Sequence, residues 1–150
     1  MSLVVTVYVP SGIVMAADSR MTVQRSDDRD EGEQKVRVQQ QLVLSDNASK
    51  VVELRKVGVG VSVYDAGVIN NQPVDSHVHR FEEEVVTPDD DVISVSSKLV
   101  EYFQTNFPGV AVGYHVGGYR LDGRTSIPYV LVGHTVREPG AKRVNADDEG

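Results

Sequence analysis

The 150-residue chain contains no cysteine. Disulfides and thiolate metal sites are thereby excluded, and a reducing compartment is compatible with the composition. Basic residues are also in deficit: 15 Lys and Arg stand against 22 Asp and Glu, for a formal net charge of −7. A dedicated nucleic-acid binder needs clustered Lys and Arg to meet phosphates, and the sequence offers no such cluster. No apolar run approaches the ~20 residues of a membrane helix, and the N-terminus lacks the basic flank of a secretory signal. Neither nucleic acid nor membrane is therefore expected as a partner, and the cytoplasm is the expected location. With no repeat and no linker, a single domain over residues 1–150 is predicted.

What is present is 40% hydrophobic and 25% charged residues, enough for a globular domain with a real core. The first half is rich in valine. LVVTVY (3–8) and GIVMAA (12–17) flank Val9-Pro10-Ser11, and the Pro followed by Gly12 predicts a β-hairpin. Further strands are predicted over QLVLS (41–45), KVVELRK (50–56) and VGVGVSV (57–63). The hydrophilic RSDDRDEGEQK (25–35) reads as a solvated loop, and its acidic spacing does not fit a calcium-binding EF-hand.

The middle of the chain changes period. Val74, Val78 and Phe81 recur at i, i+4 and i+7 behind Pro73, which predicts a helix over 73–84. Thr87 as N-cap, Pro88 at the first helical position and Asp90 and Asp91 near the positive dipole end predict a second helix over 88–106. Its apolar stripe is Val92, Val95, Leu99, Tyr102 and Phe103, and Pro108-Gly109 stops it. Residues 110–119 and 128–136 return to strand, joined by a loop with a turn at Asp122-Gly123. Strands, then two helices, then strands make an α+β layout rather than an alternating βαβ one.

Several short patterns fail as motifs. Gly60-Val61-Ser62-Val63-Tyr64 lacks the last glycine of a nucleophile elbow, and Gly58-Val59-Gly60 is followed by Val63 where a dinucleotide fingerprint has its third glycine. His77 and His79 share no helix face, and His115 and His134 fall on separate strands, so no metal site is expected. Asp18 and Arg20 close an otherwise apolar strand, where charge must be paired or solvated. Two readings fit them: a surface pair at a strand end, or a carboxylate that waits for a buried cation.

GIVMAADSR (12–20) after a first strand with a glycine turn, SKVVEL (49–54), and VGVGVSVYDAG (57–67) together resemble proteasome β-subunits and the related bacterial ring peptidase, members of the N-terminal nucleophile (Ntn) hydrolases. The likeness is closest over residues 2–67. It implies an αββα sandwich of two antiparallel sheets, with the second helix layer truncated because the family's last helix and strands find no counterpart here. The acidic run would belong to an insertion at about 23–40.

On this resemblance Ser2 falls where the family has its nucleophile, usually Thr; Asp18 where it has the aspartate after the second strand; and Lys50 where it has the lysine of the third. Arg20 would support them, and Gly60, Val61 and Ser62 fall in the region of the oxyanion-hole turn. The implied activity is hydrolysis of a peptide or amide substrate with no cofactor and no metal. The α-amine of residue 2 acts as base for its own hydroxyl, which requires removal of Met1. Self-association is implied as well, since the family forms rings. The alternative is a proteasome-like shell or binding protein whose nucleophile is idle.

Overall fold

Residues 59–63 carry valine at every second position, the period of a strand, and both edges of that strand are used. The computed structural model describes residues 3–9, 11–31 and 34–146. Along the chain run β1 (Val4–Val9), β2 (Gly12–Ala17), β3 (Met21–Glu31), β4 (Gln34–Ser45), β5 (Val51–Leu54) and β6 (Val59–Asp65). The short β7 (Val68–Ile69) and β8 (Gln72–Pro73) lead into α1 (Val74–Glu84) and α2 (Val92–Asn106), and β9 (Val112–Asp122), β10 (Thr125–His134) and β11 (Glu138–Arg143) close the described chain. The largest sheet has the order β11-β10-β9-β6-β5, antiparallel throughout.

Each face of this sheet is decided by the alternation. Val59, Val61 and Val63 of β6 lie on one side with Val112, Tyr114 and Val116 of β9, all essentially inaccessible to solvent, and α1 and α2 cover them with Val78, Phe81, Val95, Leu99 and Phe103. The opposite side carries Gly60, Ser62 and Tyr64 next to Gly117, His115 and Gly113. Two of the three glycines there, Gly60 and Gly117, leave room for the β1–β2 hairpin to lie close, and the third, Gly113, makes room for Tyr64. A Cβ on Gly60 would stand 2.7 Å from Met15 Sδ, one on Gly117 3.2 Å from Ile13 Cγ2, and one on Gly113 would run into the Tyr64 ring. Helices, sheet and hairpin thus stack in that order.

The predicted hairpin over 3–17 is present, with Val4 paired to Ala17 and Val9 to Gly12. The mixed α+β class holds, with mostly antiparallel sheets and two helices. The acidic run is different from its prediction as a loop. Its backbone forms an antiparallel ribbon of β3 and β4 whose register sets Asp28 opposite Arg37 and Asp30 opposite Lys35. Residues of opposite charge at directly cross-strand positions suit a ladder that hydrophilicity alone conceals.

The second helix starts one turn later than predicted. Asp91 is the N-cap: its carboxylate accepts from the Ile93 and Ser94 amides while Ser94 Oγ accepts from the Asp91 amide, a reciprocal capping box. Thr87 instead donates through its amide and hydroxyl to Asp90, so Thr87-Pro88 opens a turn before the helix. Pro73 likewise precedes α1 as its N-cap residue. The segment 120–127, predicted as a loop, is strand almost throughout: β9 and β10 pair out to Asp122 and Thr125 around Gly123, which takes φ +59. Residues 138–143 add β11 to the sheet beside β10. No described helix is long and apolar enough to cross a membrane.

Candidate active site

The site is built where the hairpin ends. One residue beyond β2, the Asp18 amide donates to the Leu3 carbonyl at 3.0 Å, which extends the ladder by one pair. The Asp18 carboxylate turns back and its Oδ1 accepts from the Leu3 amide at 2.8 Å. Lys50 stands at the head of β5, where its carbonyl accepts from the Val63 amide at 2.9 Å. That backbone bond sets the lysine stem against the sheet, and its side chain is only 6% exposed.

A buried ammonium must be paired and hydrogen-bonded. Lys50 Nζ donates to Asp18 Oδ1 at 2.9 Å and to the Arg20 carbonyl at 2.6 Å. The Lys50 hydrogen bond, helped by the Leu3 amide and the lysine charge, outweighs the cost of desolvation and holds the Asp18 carboxyl below its usual value of 3.8. The loop that delivers Lys50 is pinned by Ala48, whose amide donates to the Ser19 carbonyl at 2.8 Å.

The structure therefore brings Asp18 and Lys50 together. Arg20 joins them through its carbonyl. Its guanidinium points elsewhere, to Asp46 at 2.9 Å in a pair that is mostly solvent-exposed on both sides, so the side chain adds little to the site. Ser2 lies outside the described residues. Leu3, which follows it, is the residue whose amide the Asp18 carboxylate holds.

Gly60, Val61 and Ser62 are placed in the interior of β6 rather than at a turn. Flanked by β5 and β9, this strand has its amides directed into two ladders. Gly60 pairs with Glu53, three residues along β5 from Lys50, which is roughly 10 Å away. Ser62 is fully buried on the hairpin side, and its Oγ has no hydrogen-bond partner among the described residues. Its cross-strand neighbour is His115, whose Nδ1 meets Thr6 Oγ1 at 2.9 Å and whose pKa is pushed down by burial.

The sequence assigns no site role to the residues that surround Lys50. Met21, Ser49, Val63, Tyr64, Ala66 and Gly67 line a cleft beside it of about 10 Å³, room for about one water. Met21, Ala48, Ser49 and Asp75 also border an open groove of about 440 Å³ that continues past Leu44, Val68 and Pro73. Asp65, next to Tyr64, adopts φ +72, a left-handed backbone that a non-glycine residue holds only when its surroundings enforce it. Here His134 Nε2 donates to Asp65 Oδ2 at 3.0 Å while His134 Nδ1 accepts from the Val136 and Arg137 amides, which fixes the tautomer. His77 Nε2 is committed to the Ile69 carbonyl at 2.9 Å.

The chain matches no family model, no curated protein and no solved structure.

Proposed function

We propose that the chain is an amide or peptide hydrolase of the N-terminal nucleophile kind, with Ser2 as nucleophile once Met1 has been removed. The observation that carries the reading is the buried Lys50 ammonium, fixed by Asp18 Oδ1 and the Arg20 carbonyl, with the same carboxylate oxygen bound to the amide of the residue that follows Ser2. On this reading the β1–β2 hairpin and the five-stranded sheet are the inner layers of an αββα sandwich, and α1 and α2 form one outer layer. The absence of cysteine suits the cytoplasm.

An α-amine titrates near ~8 in model compounds, so a free residue 2 carries its own base. The Ser2 hydroxyl proton passes to that amine as Oγ bonds to the substrate carbonyl carbon. The C–N bond then breaks, and the departing amine takes the proton. Water, deprotonated by the same α-amine, attacks the resulting ester and releases a carboxylic acid, restoring the hydroxyl. The Lys50 charge favours the neutral amine and the developing alkoxide. The groove beyond Met21 and Ser49 is wide enough for a substrate side chain.

A second reading, an idle proteasome-like shell, is favoured by one observation: Gly60, Val61 and Ser62 sit in an inner strand with ladders on both sides, where their amides are not free to meet an oxyanion. Labelling separates the two. Intact mass first establishes loss of Met1, and a β-lactone is then offered to the free terminus. An adduct mapped to Ser2 that vanishes in Lys50→Ala supports the hydrolase, and no adduct on a proven free Ser2 supports the shell.

A further inference from the structure

The open groove beside Lys50 has a chemistry of its own. One wall is the short β7–β8 hairpin, where Asn70 and Asn71 both take left-handed backbone, φ +50 and +61, as a tight two-residue turn requires. This wall is tied to α1 twice. The Val74 amide donates to the Gly67 carbonyl at 3.1 Å, and the Ile69 carbonyl accepts from His77 Nε2 at 2.9 Å. The start of the helix is therefore fixed at the groove. Asp75, its second residue, lines both the groove and the one-water cleft at Lys50.

Among the described residues Asp75 is the only charged one that lines the groove, and no hydrogen bond or ion pair engages its carboxylate. The cations nearby are already matched: the Lys50 ammonium by Asp18 and the Arg20 guanidinium by Asp46. The rest of the lining is aliphatic, from Met21, Leu44, Val68 and Pro73, or polar and neutral. An acidic side chain placed there would meet like charge. A wholly apolar one would strip water from an unpaired carboxylate and return nothing for it. A lysine or arginine lays its aliphatic stem on apolar surface and keeps its charged head at a polar rim, which is the combination this groove offers. The net charge of −7 favours the approach of a cation as well.

We propose that the groove takes the lysine or arginine side chain of a peptide substrate, with the stem against Met21, Leu44 and Val68 and the cationic head at the Asp75 carboxylate. As a statement of substrate class this rests on the hydrolase reading of Ser2; the preference of the groove for a basic side chain does not.

Binding is measured first, on the full chain with Met1 removed, by following backbone amide resonances as acetyl-arginine amide is added, with the norleucine and glutamate analogues as controls. The Ser49, Val68 and Asp75 amides should shift and saturate with the arginine compound about tenfold more tightly than with norleucine, the worth of one charge-assisted hydrogen bond at a solvated rim. Asp75→Asn should abolish the difference, and Asp75→Glu should retain most of it. Turnover is measured next with coumarinyl amides of the same three acetylated residues, in which the single side chain is the only one on offer. The arginine amide should have roughly ten times the kcat/KM of the norleucine amide. The two readings fail separately. Saturable arginine binding in the groove with no turnover and no Ser2 adduct refutes the hydrolase and supports the basic preference. Equal turnover of the three amides overturns the proposal while the hydrolase stands, and so do arginine shifts that miss the groove or are unmoved by Asp75→Asn.

Discussion

Replacing Asp18 by Ala tests the centre of the site through stability, independently of any activity. The substitution leaves the Lys50 ammonium with the Arg20 carbonyl as its remaining acceptor and strips the Leu3 amide of its carboxylate. Breaking a fully buried pair costs about 3–5 kcal/mol. Asp18 is 32% exposed, so water can enter and replace part of what is lost, which reduces the expectation to about 2–3 kcal/mol. For a chain of this length that is a fall of about 5–10 °C in Tm.

The pH dependence follows from the direction of the Asp18 shift. Its carboxyl is lowered from 3.8 in the folded chain, so its stabilisation is present in full above the unfolded-state value and is lost as pH falls through the lower folded value. Urea unfolding followed by circular dichroism should therefore give a stability difference between wild type and the Asp18→Ala variant that is flat from pH 8 to about 5 and shrinks below about 4. Lys50→Met should be milder than Asp18→Ala, because it removes the buried charge and leaves a part-exposed carboxylate that water can serve. A difference under about 0.5 kcal/mol at pH 7 for Asp18→Ala would refute the buried-ammonium argument, as that is the range of ordinary surface changes.

Two further expectations concern the scaffold. Asp91→Ala should cost about 1 kcal/mol in urea unfolding, and Thr87→Ala clearly less, because the capping box belongs to Asp91 and Ser94; equal losses would favour the earlier helix start. The Tyr114 hydroxyl is buried without a partner among the described residues and its pKa is pushed up to about 12, so Tyr114→Phe should be neutral or stabilising by up to about 1 kcal/mol. In wild type, stability should fall as pH rises from the unfolded tyrosine value near ~10 toward the folded one, and ultraviolet titration of the phenols should show one late component.

The hairpin and both helices were legible because their signals are local: a Pro and a Gly12 between two valine-rich runs, and i, i+4, i+7 stripes. Helix α2 began late because Thr87-Pro88 and Asp91-Ser94 are competing caps four residues apart, and only the folded chain shows which carboxylate reaches the amides. The ribbon was missed because strand prediction leans on apolar alternation, whereas β3 and β4 set charged residues opposite one another in register. Asp18 and Lys50 were reached through resemblance, since 32 residues separate them and no spacing rule links them. Tyr64, Ala66 and Met21 had no signal in sequence; they neighbour Lys50 only because its carbonyl bonds the Val63 amide across the sheet.

The glycine seam under the hairpin also bears on the order in which the molecule can assemble. Residues 3–17 are synthesised before the sheet they dock on, yet their seats there are Gly60 and Gly117, and Thr6 meets His115 across 109 positions of chain. The hairpin can form early but cannot dock until β9 has been synthesised and has paired with β6. Contacts of such sequence separation are closed late and slowly. During that interval both faces of a valine-rich, uncharged ribbon stand open to other unfolded chains. The vulnerable moment for this protein is therefore its synthesis, and a holdase that shields the hairpin strands should raise its yield more than any stabilisation of the finished core.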